Sequence, residues 1–277
     1  MSRNPWPLAG AALALGLFVG LFIGHIDTVP VNPQLRALDA NLWQHTSGEY
    51  RACCLQAYSL ATNRLAKKLA DGPKGGGPPA VVMDLDETVL DNAAFQTSLY
   101  RRGQSYSDAA WLTWASKYPE EVGLVPGAKA FIDGAVSKHV QVFYITNRVE
   151  ALREPTLIAL RNLKLGQEDI GERLLLATAS GNKTARRKKV SESHDVLLWV
   201  GDNLRDFDER FVADKVDPTN LDDVRKALAR RAKLVDESRA RWGDDFIILP
   251  NPMYGEWARL QGARPVEVLR PTKWTER

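Results

Sequence analysis

Cysteine and histidine are both scarce in this chain. Of 277 residues, two are cysteine and four are histidine, and each shortage closes off some chemistry. Cys53 and Cys54 are neighbours, and adjacent cysteines would close a strained ring, so a structural disulfide between them is not expected. C-C is not a zinc spacing, and no two histidines stand at ligand spacing either. Both cysteines are expected as small apolar residues on a helix, and cysteine usage leaves the redox compartment open. Charge of one sign is also in short supply. Lys and Arg number 37 against 34 Asp and Glu, a formal net charge of +3, which is too small to argue for a nucleic-acid partner. No internal repeat is apparent. Apolar residues make up 44% of the chain, the share of an ordinary globular protein long enough to bury its own core.

One long apolar run stands apart. Asn4 to Ile26 carries no formal charge with His25 neutral. As a helix it would span roughly 34 Å, against about 30 Å of bilayer hydrocarbon. Arg3 on one side and Asp27 on the other favour an uncleaved anchor with the rest of the chain exported. A cleaved secretory signal is the alternative, although no convincing small-x-small site lies around Ile23 to Val29. Residues 1–27 are therefore read as an anchor or signal segment, and 28–79 as a spacer and lead-in helix. The spacer is expected over Asp27 to Leu42. From Gly48 to Leu69, Tyr50, Cys53, Cys54, Ala57, Leu60, Ala61, Leu65 and Leu69 recur at the helical spacing of one apolar face. DGPKGGGPP (Asp71 to Pro79) then breaks the helix.

The stretch Ala80 to Asn92, AVVMDLDETVLDN, organises the sequence downstream of it. Its unbroken apolar start reads as a buried strand of a parallel sheet, and ligands bind beyond the carboxyl ends of such strands. Asp84 and Asp86 would sit there. Carboxylates this close repel unless a cation or a shared proton relieves them, which suggests a metal or an acid/base pair. From Asn92 to Val122 strand signals are poor and aromatics are frequent, Trp111 among them. Such rings either stack on a flat ligand ring or form the segment's own core.

Further apolar runs read as strands at Val140 to Ile145, Leu174 to Ala177, Val196 to Val200 and Phe246 to Leu249. Thr146, Asn147 and Arg148 follow the first of these, where a hydroxyl and backbone N–H groups can hold phosphoryl oxygens. SGNKTARRKKV follows the second. There Lys183 is the candidate charge clamp, with Arg186 one turn on, while Arg187 and Lys188 are expected on a solvated face. The third ends in Gly201-Asp202, with Asp202 expected to point toward Asp84 and Asp206 to orient the site from behind. Hard oxygen ligands from separate strand ends describe a Mg²⁺ site. The charged segment Leu221 to Trp242 reads as a solvent-facing helix.

In order, Asp84/Asp86, Thr146, Lys183 and Asp202/Asp206 resemble the four motifs of haloacid dehalogenase-type phosphatases. TSGEYRA, VVMDLDETVLDN, FYITNR, GDNLRDF and FIILPNPMYGEW narrow the resemblance to the class C acid phosphatases and their 5'-nucleotidase relatives. That resemblance implies an α/β fold, a haloacid dehalogenase-like Rossmannoid parallel sheet with a small helical cap. The membrane helix would precede it. It divides the chain into a phosphatase core over 80–257, a cap insertion at about 93–123 and a tail over 258–277. It implies Mg²⁺ held by Asp84, Asp86 (through its carbonyl) and Asp202. Asp84 would be the nucleophile, Asp86 the acid/base, and Trp111 and Tyr254 an aromatic clamp. Nucleoside monophosphates and aryl phosphates are the implied substrates. No lipid-bearing cysteine follows the apolar N-terminus, so the membrane helix takes that place. The expected partners are thus a small phosphomonoester and the periplasmic face of a bacterial membrane, with no nucleic acid and a homodimer left open. Two other readings compete: a membrane-tethered nucleotide- or haem-binding protein on the same fold, and a phosphotransferase.

Overall fold

The computed structural model describes residues 33–72, 75–165, 170–178, 180–213, 216–260 and 268–269. The apolar N-terminal segment lies outside them, as does most of the tail. Among the described residues no helix is long and apolar enough to cross a membrane. In chain order the elements are α1 (Pro33–Thr46), α2 (Gly48–Ala70), β1 (Pro79–Met83), β2 (Leu90–Asp91), α3 (Ala93–Arg101), α4 (Asp108–Lys117) and β3 (Gly123–Leu124). They continue with α5 (Ala128–Val136), β4 (Gln141–Val149), α6 (Arg153–Asn162), α7 (Ile170–Arg173), β5 (Leu174–Ala177) and α8 (Thr184–Ser193). β6 (Asp195–Gly201), α9 (Leu221–Glu237), β7 (Phe246–Ile248) and α10 (Glu256–Arg259) complete the order.

The main sheet is parallel throughout, in the order β5-β4-β1-β6-β7. β1 lies at its centre, covered on both faces, and this is why its sequence is an uninterrupted apolar run. Successive side chains point to opposite faces. Val81 and Met83 join the large cluster that includes Tyr58 and Leu65 of α2 and Phe131 of α5. Ala80 and Val82 pack with Phe143, Ile145 and Val190 of α8 on the other face. Each buried Val, Ile, Leu, Met or Phe side chain among them contributes about 1.5–3 kcal/mol. Truncating Met83 to alanine at the centre would cost about 2–5 kcal/mol.

The helix expected from Gly48 forms as α2. Ser47 caps it by accepting from the Tyr50 N–H at 3.0 Å, and Tyr50, Cys54, Tyr58, Ala61 and Leu65 form its buried stripe. Both cysteines are free thiols, Cys54 buried and Cys53 exposed. Cys53 and Leu60 are corrected from the expected apolar face: the buried stripe runs through Cys54, Tyr58 and Ala61, which turns both outward. The spacer is corrected from residue 33 onward, because Pro33 begins α1 rather than an extended tether. Proline fits a first helical position, where its missing N–H costs no hydrogen bond. α1 is held by Trp43, which packs edge-on against Tyr50 at 5.5 Å and against the core, and by polar contacts: Gln44 donates to Asp91 at 3.3 Å, and His45 meets the Thr97 hydroxyl at 2.9 Å. The Asn92–Val122 stretch is helical, as expected, and β2 pairs with β3 across its base. The charged helix α9 ends at Glu237, short of Trp242. Trp242 instead packs on Phe207 and Phe246.

Candidate active site

The carboxyl ends of β1, β4 and β6 converge on one cavity of about 940 Å³. Asp84 follows β1, and its N–H donates to the Val200 carbonyl at 2.9 Å, which fixes it beside the end of β6. Lys183, buried just before α8, donates to Asp84 Oδ1 at 2.6 Å and to Asp206 Oδ1 at 2.7 Å. Asp202 follows β6. Its two oxygens accept from the Thr88 hydroxyl at 3.0 Å and from Asn251 Nδ2 at 2.9 Å. Oxygens of Asp84, Asp202 and Asp206 all lie within 4.8 Å of one another. Asp206 reaches this position because residue 201 is glycine. A methyl group there would come within 2.6 Å of the Asp206 Cβ, closer than side chains pack.

Asp206 lies beside the other two carboxylates, with Oδ1 accepting from Lys183 at 2.7 Å and Oδ2 from the Asn203 N–H at 2.9 Å. The Asp86 side chain is turned aside. Arg148 takes Asp86 Oδ1 through Nη2 at 2.7 Å and Nε at 3.0 Å, and Asn92 Nδ2 donates to the same oxygen at 2.9 Å. Oδ2 keeps only longer contacts, from Arg148 Nε at 3.3 Å and the Thr146 hydroxyl at 3.4 Å. Arg148 is committed to protein groups: its remaining N–H groups reach the Thr156 hydroxyl and Asn92 Oδ1, both at 3.2 Å. It therefore acts on Asp86, although its edge still lines the cavity. Thr146–Arg148 also lie within β4, which runs on to Val149, rather than after it.

Arg186 is likewise engaged. It donates to the Thr146 carbonyl, and to Asn147 Oδ1 at 2.9 Å, and it braces the β4 end without lining the cavity. Arg187 corrects the solvated-face reading: it is largely buried and donates to the Arg205 carbonyl at 2.8 Å. Lys188 is exposed as expected. Trp111 and Tyr254 both line the cavity. Trp111 also stacks on Trp114 at 5.6 Å, and the Arg148 guanidinium lies 5.2 Å from its ring centre. Trp111 thus packs within the segment's own core while also lining the cavity. Sequence reasoning assigned no role to Thr88, Asn92 or Asn251, which orient Asp202 and Asp86. All three lie inside the motif stretches, and that position was their only signal in the sequence.

The charge balance of the cluster calls for a cation. Burial pushes the Asp84 carboxyl well above the usual range; Lys183 pulls it down, while Asp206, Asp202 and Asp86 push it further up. Burial, reinforced by Asp206, pushes Asp202 up to about 7. Burial alone would lower Lys183, yet Asp206 and then Asp84 outweigh it and keep the ammonium charged. Three clustered carboxylates face a single lysine, and hard oxygens at strand ends suit a small divalent ion. The sign of the Asp202 shift makes this testable. Between about pH 4 and pH 7 the folded, metal-free chain holds a proton that the unfolded chain has released, so stability falls as pH rises. The metal-stripped protein should melt higher at pH 5 than at pH 7.5, with saturating divalent metal closing the gap. A metal-free melting point that rises with pH would contradict this charge balance.

A central parallel sheet with clustered carboxylates at its carboxyl edge and a buried lysine between them is the arrangement of a phosphoryl-transfer site of haloacid dehalogenase type. The model of the HAD superfamily, subfamily IIIB (acid phosphatase) matches residues 22–257. Among solved structures, a class C acid phosphatase from Bacillus anthracis is 36% identical, with a TM-score of 0.69 over 82% of this chain and 88% of that one. A class C acid phosphatase structure from the same organism with tungstate bound is 33% identical, with a TM-score of 0.70 over 89% and 94%. This chain belongs to the HAD subfamily IIIB acid phosphatases and is a phosphomonoester hydrolase. Phosphatases of this superfamily typically use a divalent metal, and the acidic cluster for one is present.

Proposed function

We propose that the chain hydrolyses nucleoside monophosphates and aryl phosphates through an aspartyl-phosphate on Asp84, with Mg²⁺ as its metal. The observation that carries this reading is the division of labour between the two motif carboxylates. Asp84 sits in the cluster with Lys183, whereas Asp86 has its own arginine and one lightly bonded oxygen. Asp84 attacks phosphorus, the bond to the leaving oxygen breaks, and Asp86 gives that oxygen its proton from Oδ2. Water then attacks the phosphoryl group, Asp86 takes the water's proton, and Asp84 leaves as a carboxylate with inorganic phosphate released. Lys183 and Thr146 offset charge on the equatorial oxygens. Asp84 and Asp202 would hold Mg²⁺, with the Asp86 carbonyl completing the protein's share and Asp206 orienting the site through Lys183. When bound, the ion adds positive charge beside the phosphoryl oxygens. Tungstate in the B. anthracis relative, a tetrahedral oxyanion, supports an oxyanion ligand here.

Removing the metal is the first test. Chelation should abolish p-nitrophenyl phosphate hydrolysis and added Mg²⁺ should restore it. Full turnover by protein verified free of metal would overturn the reading. The aromatic wall gives a second. Trp111→Ala should raise KM roughly tenfold for aryl phosphates and nucleotides, at the scale of one lost stacking contact, and leave glycerol phosphate nearly unaffected. Equal rises for both substrate types would make Trp111 core only. We further propose that the enzyme is exported and tethered to the periplasmic face of a bacterial membrane by its N-terminal segment. The uncharged length between Arg3 and Asp27 supports this. Carbonate-resistant membrane association of the full chain, lost on deleting residues 1–27, would check it.

A further inference from the structure

Beside the acidic cluster, the same cavity has a wall of N–H donors that protein groups only partly engage. Asn147, Asn203 and Arg205 all line it. Asn147 Oδ1 accepts from Arg186, which commits that oxygen and leaves the amide nitrogen as the open end. A methyl group at Gly181 would lie 3.3 Å from this nitrogen and 3.7 Å from Arg205 Nη1, so the two donors flank bare main chain. Asn203 Oδ1 is committed to the Arg205 N–H at 3.3 Å, and its Nδ2 would lie 3.1 Å from a methyl at Gly255. Asn147 is exposed and Asn203 half-buried, so their amide nitrogens face the cavity's solvent and are free to bond an acceptor that enters it.

The local charge points the same way. Arg205 meets carboxylates only at 3.5 Å (Glu209) and 4.0 Å (Glu256). Neither carboxylate is its own. Glu209 also accepts from the Lys183 N–H at 2.5 Å and lies 3.9 Å from Arg187, and Glu256 is bonded to Arg259. Three guanidinium groups thus share two carboxylates on this side of the cavity. Resting on the phosphatase reading above, we propose that Arg205, Asn203 and Asn147 form a second anion subsite. It takes a second phosphate on the substrate, so that organic bisphosphates are preferred over the matching monophosphates. The phosphate to be cleaved stays with Asp84, Lys183 and Thr146. The second is held by planar N–H donors, which suit phosphate oxygens.

The test compares kcat/KM for adenosine 3',5'-bisphosphate with that for adenosine 5'-monophosphate, and for glucose 1,6-bisphosphate with glucose 6-phosphate. The ratio is taken within each protein, so general damage cancels. In the wild-type enzyme the bisphosphate should lead in at least one pair by about tenfold or more, at the scale of one charge-assisted contact. That exceeds the roughly twofold advantage of carrying two cleavable groups. Arg205→Gln should bring the ratio close to that statistical value, and Arg205→Lys should keep part of the preference. A wild-type ratio near two in both pairs, or an undiminished ratio in Arg205→Gln, overturns the subsite. Calorimetry with the same ligand pairs on Asp84→Asn gives a readout without turnover, and equal affinities there would also overturn it. Loss of the subsite leaves p-nitrophenyl phosphate hydrolysis standing. If no phosphomonoester is hydrolysed at all, the phosphatase reading falls first and calorimetry still decides the subsite.

Discussion

Asp84→Asn will lower kcat for p-nitrophenyl phosphate by on the order of 10⁴-fold or more, because the chain then has no nucleophile to form the covalent intermediate. The fold should survive. Asparagine keeps the shape, and its amide oxygen can still accept from Lys183, which retains Asp206 at 2.7 Å. Burial already pushes the Asp84 carboxyl toward its neutral form. Exchanging it for a neutral amide also removes one of three crowded negative charges. Without metal, the variant should therefore melt no lower than the parent. Activity measured by phosphate release and melting followed by circular dichroism read these two effects separately. A variant that turns over at near the parent rate would remove Asp84 from the chemistry. One that fails to fold would mean the carboxylate is structural.

Lys183→Met should lose stability as well as turnover. Lys183 is buried between Asp84 and Asp206, so its removal leaves carboxylates in low dielectric without their cation. Breaking a buried pair from one side costs about 3–5 kcal/mol. Added divalent metal should recover part of that loss, since it supplies positive charge to the same oxygens, but it should not recover turnover. Denaturant unfolding with and without Mg²⁺ checks this. Unchanged stability in Lys183→Met would show that the carboxylates do not depend on the lysine.

Arg148 marks how far the sequence could be read. That it follows an apolar run was visible, and so was its nearness to a motif threonine. Which carboxylate it would face was not, because β1 and β4 become neighbours only through the sheet. β1 itself was legible, since burial on both faces leaves an unbroken apolar signature. α1 was not, because a single aromatic, Trp43, and polar contacts with Asp91 and Thr97 give it no apolar period, and prolines nearby suggest an extended chain. Arg187 looked solvated for a similar reason: α8 buries only Val190 among apolar residues, and its arginines are drawn in by carbonyls from elsewhere in the chain. Spacing identified the four carboxylates but could not rank them. The close approach at Gly201 moves Asp206 into the cluster, and Arg148 draws the Asp86 side chain away from it.

The central claim is that Asp84 becomes covalently phosphorylated. Enzyme turning over excess aryl phosphate would be acid-quenched within milliseconds, reduced with borohydride and mapped by peptide mass spectrometry. Homoserine should appear at position 84 in place of aspartate, and at no other carboxylate. Rapid phosphate release with position 84 unmodified, or reduction at Asp86 or Asp202 instead, would contradict the account.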